Sequence, residues 1–280
     1  MAKTVLVTGA GGYIGRHVVT ALLERGLDVK ALDLRLDGVD DRAEKVSLDL
    51  FSGDADIYDQ MGRPDVVLHM AWRDGFKHAS HAHLDDLAKH YHLIENLYAG
   101  GLPQLAVMGT MHEVGYWEGA IDEGAPCNPA SLYGIAKNAL REATFLSARA
   151  HGAVAQWIRA YYIVGDDKFG NSIFSKLLAA AEEGRTTFPF TTGRNRYDFI
   201  SVDGLGEQIA AIVDQREVDG IINACTGEPM TLADRVEAYI RDNDLNITLE
   251  YGAFPDRPYD SPGVWGDPTK IRRILASSAS

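Results

Sequence analysis

The sequence is poor in cysteine, in cationic side chains and in long apolar runs, and each shortage excludes a class of protein. Cys127 and Cys225 are the two cysteines, too far apart for a metal-ligand spacing, so we expect neither a disulfide scaffold nor a zinc module. The 27 Lys and Arg residues against 40 Asp and Glu residues give a formal net charge of −13, the opposite of the basic surface that nucleic-acid binding needs. No apolar run approaches the ~20 residues that cross a bilayer, and residues 1–9 show no signal-peptide pattern. We therefore expect a cytoplasmic protein with reduced thiols, no nucleic-acid partner and no membrane partner.

Short apolar runs alternate with longer helical stretches through the first half of the chain. Continuous runs such as 5–7 and 66–68 are typical of strands that are covered on both faces. Strands that alternate with helices predict a parallel sheet with right-handed crossovers, so we predict an α/β fold, a Rossmann doubly wound parallel sheet. The predicted strands are 4–8, 28–33, 45–48, 65–70, 104–108 and 154–159, and the predicted helices are 13–25, 84–98 and 133–150.

The regular alternation weakens after Gly165, which predicts a second, smaller part of the molecule. Helical patterns remain at 172–183, 204–214 and 231–241, with a strand at 221–225 and a tail punctuated by proline and glycine. We predict a Rossmann domain over residues 1–165, to which residues from about 196 to 226 return. The segments 166–195 and 227–280 are predicted to form a small interleaved α/β cap.

A glycine turn follows the first predicted strand and opens the first predicted helix. Gly9, Gly12 and Gly15 allow a tight turn and a close backbone approach, and the N–H groups of Tyr13 and Ile14 lie at the helix N-terminus. This arrangement predicts a site for the pyrophosphate of a dinucleotide. A tight turn without a ligand is the alternative.

Asp33, at the end of the second predicted strand, bears on the choice of dinucleotide. A carboxylate at this place accepts hydrogen bonds from the adenosine ribose and repels a 2′-phosphate, which favours NAD. Arg35 and Arg16 leave NADP open. Asp49 and Leu50 follow the third predicted strand and are candidates for holding the adenine, although Asp49 could equally be a solvated loop residue.

Tyr133 and Lys137 stand four residues apart near a predicted helix start, so they share one helical face. A phenol has an ordinary pKa of ~10, and a neighbouring ammonium is expected to bring that pKa toward the working range. Thr110 follows the predicted strand 104–108, at the sheet edge where ligands of parallel sheets bind. We predict that Thr110 polarises a substrate oxygen, Tyr133 transfers a proton and Lys137 tunes Tyr133.

Six further segments resemble, in order, motifs of the extended short-chain dehydrogenase/reductase family. This NAD-dependent epimerase/dehydratase group contains UDP-galactose 4-epimerase and nucleotide-sugar 4-ketoreductases. The resemblance covers nearly the whole chain and implies a Ser/Thr–Tyr–Lys triad, here Thr110, Tyr133 and Lys137. It also implies that Met70, Ala71 and Trp72 lie beside the nicotinamide, although Trp72 could instead be core. The segments are 67–71, 110–115, 157–165, 197–203, 223–229 and 265–270.

The resemblance also implies that the cap grips a nucleoside diphosphate. Asn171 and Arg257 look like the family's diphosphate contacts, and a guanidinium fork suits that role. His112 and Glu113, just past Thr110, are expected to border the sugar. The chain departs from the pattern at Tyr197, where the family has Arg; Arg196 stands one position earlier and is the candidate replacement. The family's Asn in the helix after the fourth strand is replaced by His90.

The predicted activity is reduction of the 4-keto group of a nucleoside diphosphate 6-deoxyhexose with NAD(P)H. Three alternatives stay open: a 4-epimerase with tightly bound NAD, a dehydrogenase of a free sugar or small alcohol, and a cofactor-binding protein without activity. The family's habit of pairing helices suggests a homodimer through 84–98 and 133–150. The histidine run over residues 78–92 follows no zinc spacing, so no metal is predicted.

Overall fold

The computed structural model describes residues 2–165, 172–255 and 261–278 of the 280-residue chain. The strands are β1 (Thr4–Thr8), β2 (Asp28–Leu32), β3 (Glu44–Val46), β4 (Val66–His69), β5 (Gln104–Thr110), β6 (Gly119–Ile121), β7 (Val154–Ala160), β8 (Tyr162–Val164), β9 (Thr187–Pro189), β10 (Arg196–Tyr197), β11 (Phe199–Ser201), β12 (Gly220–Ala224), β13 (Met230–Thr231), β14 (Thr248–Glu250) and β15 (Gly263–Gly266). The helices are α1 (Tyr13–Glu24), α2 (Ile57–Gln60), α3 (Ala82–Asp85), α4 (Leu87–Ala99), α5 (Leu132–His151), α6 (Ile173–Glu182), α7 (Val202–Asp214), α8 (Leu232–Asp242) and α9 (Thr269–Ser278). A short 3₁₀ helix spans Met111–Glu113.

Seven parallel strands form the central sheet in the order β3-β2-β1-β4-β5-β7-β12. The chain runs outward from β1 to β3 on one side and from β4 to β12 on the other. The order therefore reverses between β1 and β4, and open parallel sheets bind their ligands at the carboxyl edge of such a reversal. The predicted α/β Rossmann fold is confirmed.

Helices cover both faces of this sheet because successive strand side chains point to opposite sides. On β1, Val5 and Val7 join a buried cluster with residues of α1 and α7, such as Val18 and Leu205. Leu6 joins a separate buried cluster with residues of α4 and α5. The glycine turn is consequently carried by a strand that is packed on both faces, and Tyr133 by a helix that packs on one face of the sheet.

The predicted helix 84–98 is two helices, α3 and α4, with a break at Asp86. The Asp86 carboxylate lies at this break and pairs with Arg73 and Lys89, each at 2.8 Å. The predicted strand 45–48 is shorter and begins one residue earlier, at Glu44. Strands of two or three residues, such as β6 and β10, were not predicted because they are too short to show a period of two.

The later part of the chain combines small sheets with a separate apolar cluster. The sheet β13-β10-β15-β6 lies apart from the central sheet, and Phe174, Leu177, Val236 and Tyr239 are core residues of the separate cluster. The predicted domain boundaries stay a prediction. Among the described residues, no helix is long and apolar enough to cross a bilayer.

Asp198 joins three segments of this later part. Its carboxylate is completely buried and accepts hydrogen bonds from the N–H and hydroxyl of Thr226 at 2.9 and 2.6 Å. It also accepts from the N–H groups of Gly227 and Gly266 at 2.9 and 3.2 Å. Four donors satisfy a buried carboxylate, so Asp198 can hold the ends of β10, β12 and β15 together.

Candidate active site

The glycine turn forms a cradle of backbone with no room for side chains. Gly9 has a φ of +73°, and a Cβ there would lie 2.7 Å from the backbone nitrogen of Ala71. A Cβ on Gly11 would lie 1.8 Å from the carbonyl oxygen of Arg35. Helix α1 begins at Tyr13 without a side-chain cap at Gly12, so no side chain at that position competes with an anion for the helix N-terminus. These features fit the pyrophosphate of a dinucleotide.

Asp33 closes the outer side of this cradle. One carboxylate oxygen accepts a 3.0 Å hydrogen bond from the Gly11 N–H, and the other accepts from the Leu34 N–H at 2.6 Å. The carboxylate therefore lies at the carboxyl end of β2 beside the turn, where the resemblance places the adenosine ribose. Its contact with a ribose stays a prediction.

Thr8, which the sequence analysis did not single out, ties the ends of β1 and β4 together. Its hydroxyl oxygen accepts hydrogen bonds from the N–H groups of Met70 and Ala71, both at 3.2 Å. The hydroxyl then donates to His69 Nδ1 at 2.8 Å, because its oxygen already accepts twice. The predicted nicotinamide-side residues Met70 and Ala71 are thus held directly beside Gly9.

Tyr133 lies in the first turn of α5 among aromatic and imidazole rings. Its ring stacks on His78, with centroids 5.0 Å apart and planes at 15°. The Trp72 ring meets it edge-on at 6.3 Å. The backbone N–H of Tyr133 donates to the His78 carbonyl at 3.1 Å, and the Ser131 hydroxyl caps the helix. The ring is therefore held by neighbours from the loop after β4, and the backbone by that loop and the start of α5.

Lys137 is buried on the same face of α5, one turn after Tyr133. Its Nζ donates a 2.7 Å hydrogen bond to the Met108 carbonyl on β5. The Nζ also lies 3.8 Å from the centre of the Trp72 ring and 6.0 Å from the centre of the Tyr133 ring. The structure thus brings the predicted Tyr–Lys pair together beside Trp72.

The prediction that the pKa of Tyr133 is lowered is wrong, because the surroundings of Tyr133 raise this pKa. Burial, followed by the Glu113 carboxylate, raises the pKa of Tyr133 well above its ordinary value, and a hydrogen bond with the Thr110 side chain offsets this in part. Burial also lowers the pKa of Lys137 to about 7, against a smaller raising effect of Glu113. The phenol of Tyr133 is consequently protonated at neutral pH. At the same pH, Lys137 is protonated in only part of the molecules.

Thr110 ends β5 and caps the short 3₁₀ helix that follows. Its hydroxyl accepts a 3.3 Å hydrogen bond from the His112 N–H, and its own N–H donates to Glu113 at 2.8 Å. The same side chain lies close enough to the phenol to lower the pKa of Tyr133, against the larger raising effects of burial and Glu113. Thr110 therefore combines a capping role with a position next to the phenol, as the predicted triad requires.

Glu113 does not border a substrate site, so that prediction is wrong. Its side chain is completely buried. One carboxylate oxygen accepts hydrogen bonds from Thr110 and from the Trp157 indole N–H, both at 2.8 Å. The other lies 3.5 Å from the Arg159 guanidinium and 4.0 Å from Arg141. The carboxylate points into the core because two buried cations require a counter-charge there.

His112, also predicted to touch substrate, lies beside His78 and Tyr133. Its ring is 4.4 Å from His78 and 6.3 Å from Tyr133, between centroids. Burial lowers the pKa of His112 to about 4, with a smaller effect of His78, so the ring is neutral at pH 7. A neutral imidazole can donate and accept hydrogen bonds, and its contact with a substrate stays a prediction.

The histidines around Trp72 are hydrogen-bonded to protein groups. His83 Nδ1 accepts from the Trp72 indole N–H at 3.0 Å, and His83 Nε2 donates to the Lys77 carbonyl at 3.0 Å. His90 accepts from His69 at 2.9 Å and stacks on Trp72 at 4.4 Å. His69 ends β4 at the carboxyl edge of the sheet, so its position in the sequence could have singled it out. The hydrogen bond between His69 and His90 depends on packing and could not be predicted. In the part of the chain that is described, no three His, Cys, Asp or Glu side chains are grouped to hold a metal ion.

The remaining predicted contacts lie outside this centre or outside the described residues. Asp49 is exposed and caps its own loop by accepting from the Phe51 N–H at 3.0 Å, whereas Leu50 is part of the core. Arg196 is exposed on β10 and donates to the Pro229 carbonyl at 3.1 Å. Asn171 and Arg257 lie outside the described residues. The ligand roles of all of these, and of Arg35, stay predictions.

Comparison with known proteins identifies the family of the chain. The family model described as "NAD dependent epimerase/dehydratase family" matches residues 5–225. The chain is 42% identical over 269 residues to a dTDP-6-deoxy-L-talose 4-dehydrogenase (NAD(+)) of Aggregatibacter actinomycetemcomitans, covering 94% of this chain and 98% of that protein. It is 26% identical over 316 residues to a probable UDP-arabinose 4-epimerase of Oryza sativa subsp. japonica, covering 97% of this chain and 74% of that protein.

A solved structure shows the same fold. The UDP-glucose 4-epimerase of Thermotoga maritima, solved with UDP-glucose, matches with a TM-score of 0.81 at 22% identity over 96% of this chain and 91% of that chain. The predicted family and the predicted use of NAD by an enzyme of this type are confirmed. The chain belongs to the NAD dependent epimerase/dehydratase family.

Proposed function

We propose that this protein interconverts the C4 hydroxyl and the C4 ketone of a nucleoside diphosphate 6-deoxyhexose, with NAD as the redox partner. The observation that carries the proposal is 42% identity, over nearly all of both chains, to a protein named as a dTDP-6-deoxy-L-talose 4-dehydrogenase. The sequence pattern suggested the reductive direction, and that relative's name gives the oxidative one. One site serves both directions, because an enzyme accelerates forward and reverse reactions alike.

The dinucleotide site would use backbone rather than side chains for the phosphates. The N–H groups of Tyr13 and Ile14 would hold the pyrophosphate, and Asp33 would accept from the adenosine ribose. Met70 and Ala71, fixed by Thr8, would bound the nicotinamide side. When bound, NAD supplies the acceptor or donor of the hydride at the sugar carbon.

Tyr133 would move the proton that accompanies the hydride. In the reductive direction the protonated phenol donates to the oxygen of the C4 carbonyl, and the raised pKa of Tyr133 keeps that proton in place at neutral pH. In the oxidative direction the phenolate must accept the proton of the C4 hydroxyl; the raised pKa of Tyr133 opposes this form, and the positive charges of NAD⁺ and of a protonated Lys137 would favour it. Thr110 would hydrogen-bond the same substrate oxygen and stabilise the charge that develops on it.

The substrate's anionic half would lie toward the later part of the chain. Arg196 is exposed on β10, and Asn171 and Arg257 are the other proposed diphosphate contacts. Because the protein has a formal net charge of −13, local cations must hold a diphosphate against an unfavourable overall field. A free sugar would make no use of such cations.

The test is an absorbance assay of NADH with matched substrates. We expect reduction of NAD⁺ with dTDP-6-deoxy-L-talose and oxidation of NADH with the corresponding 4-keto sugar, and little or no turnover with the free 6-deoxyhexose. Tyr133→Phe should lower kcat by ~10²–10⁴-fold while NAD binding is kept. Turnover of the free sugar alone would overturn the nucleotide requirement. An unchanged rate in Tyr133→Phe would overturn the role of the phenol.

A 4-epimerase is the second candidate, because several relatives at 24–26% identity are named UDP-arabinose 4-epimerases. The same residues would oxidise C4 and reduce it again from the other face. Such an enzyme retains its NAD, so acid denaturation of the purified protein should release stoichiometric NAD⁺. Conversion of a UDP-pentose to its C4 epimer without added NAD would favour this candidate. A protein inactive with every substrate above would favour the non-catalytic alternative.

We further propose a homodimer that pairs α4 and α5 with their copies. The two helices pack side by side, and they leave apolar side chains exposed at Tyr91, Ile135 and Leu146, with exposed fractions of 38%, 44% and 61%. Light scattering should report twice the 30.6 kDa chain mass. Leu146→Glu should then give monomers, and a monomeric wild-type protein would contradict the proposal.

A further inference from the structure

A cavity of about 240 Å³ opens in the later part of the chain, between the ends of β8 and β11 and the start of α8. Phe199 and Met230 provide apolar walls, and Ser201, Thr226 and Arg235 provide polar ones. Tyr133, Lys137 and Thr110 do not line it. The cavity thus lies outside the catalytic group and requires its own explanation.

Arg235 is the unusual member of this wall. Its Nε is buried without a hydrogen-bond partner, and its guanidinium forms no hydrogen bond or ion pair with any described residue. Arg25, Arg141 and Arg159 also have a buried Nε without a hydrogen bond, but each has a carboxylate within 4.0 Å. Within residues 2–165, 172–255 and 261–278, Arg235 is the only one of these four arginines without such a counter-charge.

An uncompensated guanidinium is unexpected in a chain with 40 acidic residues. A partly buried cation loses hydration and requires an anion in return. Glu228 also lines the cavity, but its side chain is 81% exposed and lies 3.8 Å from Arg272. Among the residues that the structure describes, the cavity therefore keeps one cation without a protein partner, which suits an anionic ligand.

The neighbouring sequence departure points the same way. Tyr197 occupies the position where the family resemblance places an Arg, and its side chain is buried and stacks on Tyr162 at 4.3 Å. A buried phenol ring cannot provide a cation there. Arg235, on α8, lies beside the strand that follows Tyr197, because Phe199 shares the cavity wall with it.

We propose that Arg235 binds the phosphates of the substrate's nucleotide half, with Phe199 and Met230 as apolar walls for the base or ribose. This assignment rests on the proposed nucleoside diphosphate sugar as substrate. A guanidinium can offer two parallel N–H donors to phosphate oxygens. Because the phosphates do not react, this interaction strengthens substrate binding and does not lower the barrier of the chemical step. Arg235 is thus a specificity-determining residue, and it takes no part in hydride or proton transfer.

The test measures binding of dTDP to the full chain in the presence of NAD by isothermal titration calorimetry. We expect Arg235→Gln to raise the Kd for dTDP by at least 10-fold and Arg235→Lys to raise it less. Arg241→Gln, at the exposed end of the same helix, should stay within 2-fold. In turnover, KM for the nucleotide sugar should rise with Arg235→Gln while kcat stays within about 3-fold.

The outcomes separate this inference from the proposed function. Wild-type protein that binds dTDP, together with an Arg235→Gln protein that binds it equally well, overturns the role of Arg235 alone. Wild-type protein that binds neither dTDP nor UDP overturns the nucleotide-sugar substrate and the inference with it. Thermal unfolding checks that Arg235→Gln is folded; if it is not, Arg235→Lys carries the comparison, and a Kd equal to the wild-type value overturns the inference.

Discussion

The Lys137 ammonium lies 3.8 Å from the centre of the Trp72 indole ring. Trp72 is itself fixed on two sides, by a 3.0 Å hydrogen bond from its N–H to His83 and by stacking on His90 at 4.4 Å. The electron-rich face of an indole attracts a cation, and this attraction favours the protonated form of Lys137. Trp72 is thus a positioning residue for the lysine next to Tyr133, in addition to its predicted place beside the nicotinamide.

Replacing Trp72 should therefore change the pH dependence of turnover. The pKa of Lys137 is about 7. Turnover that requires the protonated amine of Lys137 therefore becomes slower as the pH rises through neutrality. Trp72→Leu removes an attraction of about 0.5–2 kcal/mol, so the alkaline fall should move to lower pH and kcat/KM at pH 8 should drop by about 3–30-fold. Trp72→Phe should restore part of the loss. A profile of kcat/KM against pH that is identical in wild-type protein and Trp72→Leu would contradict this role.

The buried histidines should make the fold sensitive to acid. Burial, aided by the nearby Lys137, lowers the pKa of His90 to about 3, and burial lowers that of His112 to about 4, both from an ordinary value of 6.5. Between pH 6.5 and pH 4 the folded protein binds fewer protons than the unfolded chain. The stability contributed by these neutral rings is complete above pH 6.5 and is lost as the pH falls.

His90→Asn tests this linkage. The free energy of unfolding, from urea titrations between pH 8 and pH 4.5, should fall less steeply with decreasing pH in the variant than in wild-type protein. The slope is the readout, because loss of the hydrogen bond to His69 lowers stability at every pH. His92→Asn, two residues along α4 and exposed, should keep the wild-type slope. Equal slopes in all three proteins would show that His90 does not titrate as expected.

Local motifs were readable from the sequence because their chemistry lies within one turn of chain. Gly9, Gly12 and Gly15 act through a single strand-to-helix turn, and Tyr133 and Lys137 share one face of one helix. In contrast, the contact of Lys137 with Trp72 joins residues 65 positions apart, and only the packing of α5 against the sheet and the loop after β4 brings them together. No spacing rule predicts such a contact.

Glu113 shows why position in sequence was misleading for single side chains. It follows Thr110, a proposed member of the triad, by three residues, which suggested a place at the substrate. The buried Arg159 and Trp157, more than 40 residues later on β7, draw its carboxylate into the core. The sequence contains all three residues, but their pairing requires the alignment of β5 with β7.

Replacing Glu113 should therefore lower the free energy of unfolding, and we do not expect it to act through substrate binding. Glu113→Ala leaves the completely buried Arg159 without its counter-charge, and loss of one partner of a buried pair costs about 3–5 kcal/mol. Urea unfolding at pH 7.5 measures the loss. Glu118→Ala, on the exposed loop that follows, should change the free energy of unfolding by less than about 1 kcal/mol. A Glu113→Ala protein as stable as Glu118→Ala would contradict the buried role.

Asp33 offers a test of the dinucleotide site that is independent of the sugar. Its carboxylate accepts from the Gly11 N–H at 3.0 Å, and an amide oxygen can keep that bond. Asp33→Asn therefore removes the charge and keeps the bond to Gly11, whereas its NH₂ group cannot replace the second carboxylate oxygen, which accepts from the Leu34 N–H. We expect the Kd for NAD⁺ to rise and the Kd for NADP⁺ to fall, so that their ratio changes by at least about 10-fold, because the charge that repels a 2′-phosphate is gone.

Fluorescence titration with each dinucleotide measures this ratio. Asp37→Asn, an exposed acid four residues further along the same loop, changes the net charge equally and serves as the matched control. If both variants shift the ratio alike, the effect belongs to the overall field of an acidic protein. A shift confined to Asp33→Asn requires contact between this carboxylate and the ribose, since Asp33 and Asp37 differ in position and not in charge.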